Sequence, residues 1–163
     1  MTRQHIVFLT GAGVSVESGL NTFRGKDGLW TNEEWVHLAS TDALYNETEK
    51  CLDFYNLRRK QLAEVEPNDA HRMIAELEKE HDVTVITQNV AIGIVSMADI
   101  FVVIGTSLKV YPAAGFIHYA HHEVPKFVID PGDMEQCARL GFTHFKTTAT
   151  EGMRMLIEAF NEL

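Results

Sequence analysis

The stretch Ile6-Val7-Phe8-Leu9-Thr10-Gly11-Ala12-Gly13-Val14-Ser15 decides how the rest of the chain is read. Its first four residues are apolar, mostly β-branched or aromatic, and show no polar alternation. Such a run suits a strand buried on both faces, as in a parallel sheet covered by helices. The glycines that follow let backbone approach a ligand with no Cβ in the way, and N–H groups of a following helix can face an anion. This end of the strand is therefore a candidate phosphate site. A G-x-G pair alone is common in α/β turns. The dinucleotide fingerprint is incomplete, because Val16 stands at the third glycine position and no acidic residue ends a second strand at the usual distance. No G-K-[ST] follows, so a P-loop is excluded.

Outward from this stretch, similar apolar runs recur at Val83–Ile86, Ile100–Ile104 and Phe127–Ile129, with His144-Phe145 a weaker fifth. Between and after them, Glu47–Leu62, Asn68–Glu80, Pro112–His121 and Glu151–Leu163 read as helices. The second carries Ala70, Met73, Ile74 and Leu77 on one face, and Asn68 suits its N-cap. Strands alternating with helices predict an α/β fold: one domain over residues 1–163, with a doubly wound parallel sheet of about five strands and helices on both faces. One join is tight. Gln88 to Asp99 must carry a parallel crossover in about a dozen residues, near the minimum, so its helix (Ile92–Met97) spans two turns at most.

The 163 residues suffice for one core, and 45% hydrophobic with 23% charged residues is a globular balance that excludes a disordered chain. Acidic residues outnumber basic ones 23 to 14, giving a net charge of −9 without a Lys/Arg cluster, which argues against nucleic-acid partners. The longest apolar runs are far too short for a membrane span. Met1 to His5 leads straight into the first strand with no charged-then-apolar leader, so a cytoplasmic location is expected. The two cysteines, Cys51 and Cys137, lie far apart and outside any C-x-x-C pair. A zinc ribbon is thereby excluded and no zinc is expected.

The longer string from Gly11 to Trp30, GAGVSVESGLNTFRGKDGLW, resembles the sirtuin family of NAD-dependent lysine deacylases, whose cofactor loop reads G-A-G-x-S-x-x-S-G-I-x-x-F-R. The likeness continues in Thr87-Gln88-Asn89, Gly105-Thr106-Ser107 and Val110-Tyr111-Pro112-Ala113-Ala114-Gly115. It implies a Rossmann-like fold with NAD as cofactor. Gly11, Ala12, Gly13 and Ser15 would hold the pyrophosphate, and Glu17, Ser18, Gly19, Thr22 and Trp30 of the same string would flank the cofactor. Phe23 and Arg24 would belong to the cofactor-binding loop, and Gln88 and Asn89 to the nicotinamide-ribose region. Gly105, Thr106 and Ser107, with Asp130 and Ala149, would contact the adenosine side. Tyr55 and Arg58 resemble the Tyr-x-x-Arg pair of the branch that removes succinyl and malonyl groups, where a guanidinium and a phenol suit an acidic acyl substrate. The same two residues also fit one helix face at i, i+3 with no ligand.

The likeness breaks after Gln88-Asn89-Val90. In sirtuins an acidic residue, a His-Gly strand and a four-cysteine zinc module follow; here Ala91-Ile92-Gly93 leads into a helix like the one after that module. One internal segment is expected to be missing, joined near Val90–Gly93, and the catalytic His has no counterpart among the eight histidines, for which solvated or capping roles suffice. No residue is assigned as catalytic and none as a metal ligand. Three readings stand side by side: an NAD-binding domain inert as a deacylase, which meets acyl-lysine peptides weakly; an active NAD-consuming enzyme, a glycohydrolase or residual deacylase working through Asn89; and a non-enzymatic scaffold. A new sheet edge and an uncovered apolar patch predict self-association.

Overall fold

A computed structural model describes residues 3–24, 28–87, 95–108 and 113–161. Strand β1 (His5–Thr10) lies inside a five-stranded sheet, between β2 (Asp82–Thr87) and β3 (Ile100–Ile104). Beyond β3 come β4 (Lys126–Ile129) and β5 (Thr143–Phe145), so the order is β2-β1-β3-β4-β5 with every pair parallel. Ile6 stands opposite Val83 on one side and Ile100 on the other; Phe8 stands opposite Val85 and Val102. All five residues of β3 and all four of β4 are buried, which explains the apolar runs Ile100–Ile104 and Phe127–Ile129; Lys126, which opens β4, donates from its Nζ to His121 O and His122 O.

Alternate residues feed two cores. Val7, Leu9, Phe101, Val103 and Val128 face one side, packed with Phe116 and Ile117 of the 3-10 segment Ala113–His118 and with Cys137. Ile6, Phe8, Val102, Ile104 and Ile129 face the other, against Ala70, Ile74, Met153 and Leu156. Each buried side chain of this size contributes roughly 1.5–3 kcal/mol, so the two layers carry the fold.

The helices are α1 (Glu33–Leu38), α2 (Thr41–Asn46), α3 (Thr48–Ala63), α4 (Asp69–Leu77), α5 (Glu135–Arg139) and α6 (Ala149–Phe160). The predicted helices at 47–62, 68–80 and 151–163 match α3, α4 and α6, with Asn68 as N-cap of α4 through Ala70 N–H and His71 N–H. The predicted helix at 112–121 is a 3-10 segment where it is described. Residues 92–94 of the two-turn helix expected at 92–97 lie outside the described residues; of the rest, Val95 is helical and residues 96–97 form a turn.

Strand β2 departs from its expected burial. Val85 is 46% exposed and Asp82 and Thr87 are exposed, because β2 pairs on one side with β1 and among the described residues forms the sheet edge. Among the described residues, no helix is long and apolar enough to cross a membrane.

Helix α6 approaches the sheet closely at Gly152, where an added Cβ would overlap Ile129 Cγ2. A glycine-to-alanine change inside a helix ordinarily stabilises it by about 0.5–1 kcal/mol. Here the sign is reversed: Gly152→Ala is expected to cost about 1–3 kcal/mol through overpacking against a stiff β-branched side chain. A lowered urea midpoint records it, and an unchanged or raised midpoint refutes the contact.

Candidate functional site

The turns that leave β1 and β3 meet at the carboxyl ends of the sheet. Gly11 N–H donates to Ile104 O at 2.9 Å and Gly13 N–H donates to Gly105 O at 2.8 Å. A Cβ on Gly11 or on Gly13 would lie 2.6 Å from Gly105 O. Gly105 has a φ of +59° and its own Cβ would run into Val14 N and the Gly13 backbone. These glycines make room for each other's turn. Both amides have partners across the junction, so the missing Cβ atoms serve this close approach of the two turns as well as any approach of a ligand.

This junction is also the topological switch point. From β1 the chain goes to β2 on one side and then to β3 on the other, and ligands of open α/β sheets bind in the crevice formed there. A cavity of about 610 Å³ opens at this place, a size typical of small-molecule sites. It is lined by Gly11, Ala12, Gly13, Glu17, Thr22, Phe23, Arg24 and Trp30 from the first loop and its continuation, and by Gly105, Thr106, Ser107, Asp130 and Ala149 from the later strand ends. Thirteen of the cofactor residues predicted from sequence thus share one cavity. Val16, Ile129, Pro131 and Thr148 line it as well and were not predicted. Val16 stands in a variable position of the string, and the other three flank predicted residues, so a margin of one residue around Asp130 and Ala149 would have found them.

The remaining residues fall elsewhere. Ser15 faces a second cavity of about 630 Å³, on the α4 and β2 side of the glycine turn, which shares Gly11, Ala12 and Phe23 with the first. Ser18 and Gly19 line neither cavity; Gly19, at φ +92°, closes the 3-10 turn Ala12–Ser18. Gln88 and Asn89 lie outside the described residues. Tyr55 and Arg58 sit on α3, outside both linings: the Tyr55 ring packs edge-on against Phe54 with centroids 5.1 Å apart, and Arg58 lies over the Phe23 ring at 5.7 Å.

Electrostatics within the site are mixed. Glu17 Oε2 accepts from Thr150 N–H at 2.7 Å, so the glycine loop caps the first turn of α6, whose own N-cap Thr148 supplies no side-chain bond. Glu17 therefore has a structural task that its motif position did not reveal. Among the described residues of the lining, Arg24 is the cation and Glu17 and Asp130 are the carboxylates. Burial raises the Asp130 pKa, opposed by the N–H of Gly132 at 2.8 Å and by nearby His144. Thr106 Oγ1 accepts from Leu108 N–H at 3.2 Å, which shapes its own loop.

His71 belongs to this site too, contrary to a purely solvated or capping role. Its Nε2 lies 3.3 Å from Ser15 Oγ, its Nδ1 is buried without a partner among the described residues, and burial lowers its pKa. Asn68 locks this arrangement, donating from Nδ2 to Val14 O at 2.8 Å while its Oδ1 caps α4. The periodicity of α4 marked His71 as a helix residue and could not mark Ser15 of the glycine turn as its neighbour.

The Sir2 family model matches residues 11–94, more than half of the chain. An NAD-dependent protein deacylase of Bacteroides thetaiotaomicron is 31% identical over 225 positions that cover 94% of this chain and 96% of the relative. The chain belongs to the Sir2 family. A second relative, an NAD-dependent protein deacylase of Helicobacter pylori, is 33% identical over 194 positions, covering 78% of this chain and 85% of its own. The 225 positions exceed the 163 residues of this sirtuin, so the Bacteroides relative carries internal sequence that it lacks. Among solved structures, a Sir2 homolog–NAD complex superposes with a TM-score of 0.80 at 25% identity, covering 97% of this chain and 90% of that one. A Sir2 homologue mutant bound to ADP-ribose reaches 0.85 at 25% identity, covering 97% and 92%. The five-stranded parallel α/β fold is thus the sirtuin fold.

Two measurements follow for this sirtuin. Glu17→Ala is expected to lower stability by about 1 kcal/mol through loss of the α6 cap, and Glu17→Gln, which keeps an acceptor, by less. Equal urea midpoints for wild type and Glu17→Ala would discount the cap. His71 has a folded pKa below its ordinary 6.5, so its contribution is complete above that value and is lost as pH falls through the folded value. Urea midpoints between pH 7.5 and 5 should therefore fall less steeply in His71→Asn than in wild type; parallel slopes would clear His71 of the effect.

Proposed function

We propose that this sirtuin is an NAD-binding domain that does not turn over acyl-lysine substrates. The single observation that carries the reading is the cavity at the β1/β3 junction, with thirteen predicted cofactor residues around it. Its features fit a dinucleotide: Phe23 and Trp30 offer aromatic faces, Arg24 a cation for phosphate, and Asp130 a carboxylate for a ribose hydroxyl. NAD would supply the electrophilic nicotinamide-ribose carbon on which the family's chemistry operates. Here Gly11, Ala12, Gly13 and Ser15 would hold the pyrophosphate, and Gln88 and Asn89 the nicotinamide ribose.

The proposed inertness rests on sequence. Ala91 stands where the family has an acidic residue, no His-Gly segment follows, and the length difference from the Bacteroides relative is what loss of an internal zinc module would leave. Removing a positioned base costs about 10²–10⁴ in rate. His71 is not a replacement in this reading, because Ser15 already lies beside its Nε2 and its depressed pKa reflects burial alone. Tyr55 and Arg58 would meet an acidic acyl group, and Arg58 uses one N–H on Gln61 Oε1, leaving other donors for a carboxylate. The open edge at β2, with Val85 exposed, is where two copies would pair.

Calorimetric titration with NAD, run beside a succinyl-lysine peptide assay, tests both halves. Binding in the micromolar to millimolar range without product is the expected result. Absence of any heat of binding would remove the cofactor reading, and robust desuccinylation would remove the inertness. Nicotinamide release without peptide, abolished in Asn89→Ala, would identify an active NAD-consuming enzyme instead.

A further inference from the structure

Helix α3 runs along the outside of the molecule, and from Tyr55 to Leu62 every residue but one is exposed. The exception is Arg58. Its guanidinium carbon lies 5.7 Å from the centre of the Phe23 ring, within the range of a cation–π contact. Phe23 in turn stacks on Trp30 with ring centres 5.1 Å apart, and Trp30 N–H donates to Phe23 O at 2.8 Å. Phe23 borders both cavities, and Trp30 borders the 610 Å³ one. The three side chains form a stack that starts on α3 and ends at the nucleotide cavity.

We propose that Arg58 is a positioning residue for that cavity: its cation holds the Phe23 ring, which borders both chambers, and through it Trp30 in the lining of the first. The physical reason is local. The segment that carries Phe23 is pinned along its backbone by Leu29 N–H to Thr22 O at 2.9 Å and by the Trp30 bond, but these leave the orientation of the Phe23 side chain unset. A ring on a solvent-facing loop has several rotamers, and a cation over its face selects one. With the ring held, the cavity is preorganised and binding a flat, anionic ligand costs less ordering. Arg58 thereby serves the cofactor side as well as any acyl group. For its ligand the inference rests on the nucleotide reading; for its geometry it does not.

The test uses the full chain with Trp35→Phe, so that Trp30 is the remaining tryptophan. In this background Arg58→Met removes the cation and keeps an apolar stem, and Arg58→Lys keeps a cation. ADP-ribose affinity by calorimetry should weaken about two- to five-fold in Arg58→Met, the loss of one exposed cation–π contact, and stay within about two-fold in Arg58→Lys. Acrylamide, a neutral quencher, should reach Trp30 more readily in Arg58→Met alone. Arg58→Met matching its parent in both readouts overturns the proposal, and so does Arg58→Lys losing as much as Arg58→Met. If the parent itself takes no ADP-ribose, the nucleotide reading falls, and the quenching series by itself decides the role of Arg58.

Discussion

The contact on which the structure depends joins two turns through their backbones. Gly11 and Gly13 on one side and Gly105 on the other approach so closely that no Cβ fits between them. Two hydrogen bonds, from Gly11 to Ile104 and from Gly13 to Gly105, continue the β1–β3 ladder past the ends of the strands. That closure brings the two loops into one crevice. It also divides the space above the sheet, leaving one cavity towards β4 and α6 and another towards β2 and α4. A side chain at any of the three positions would run into the facing backbone, so the two loops would have to move apart. Glycine is required here by its neighbour across the junction, before any ligand arrives.

Much of this was legible in the residues. β1, β3 and β4 announce themselves because their stretches covered on both faces, Ile6–Leu9, Ile100–Ile104 and Phe127–Ile129, have no polar positions, and α4 because Asn68 precedes a clear apolar face. β2 carries the same kind of run, yet among the described residues it lies at the edge; an apolar strand core looks alike whether its neighbour is present or not. The short helices α1 and α2 escaped notice, although Asn32 and Ser40 cap them with side-chain oxygens, because six residues are too few to display a period. The site was legible as a string of residues and illegible as a set of contacts. Glu17, Ser15 and His71 all find partners more than fifty positions away, which no local pattern encodes.

The two edges of the sheet differ. β5 has three residues, so it offers little backbone to a foreign strand. β2 has six, with no proline, glycine or lysine, and Asp82 as its one charge. Natural edges of that length usually carry some such guard. Among the described residues, β2 is thus the longer and less guarded of the two edges.

The bond from Glu17 to the amide of Thr150 has a consequence for dynamics. Amides in the first turn of a helix ordinarily exchange their hydrogens with water quickly, since nothing within the helix accepts from them. Thr150 is buried and held from another loop, 133 residues away in sequence. Its protection therefore reads out the state of the glycine turn rather than of α6. Whatever loosens that turn, at any point along it, is recorded as a faster clock on one distant hydrogen.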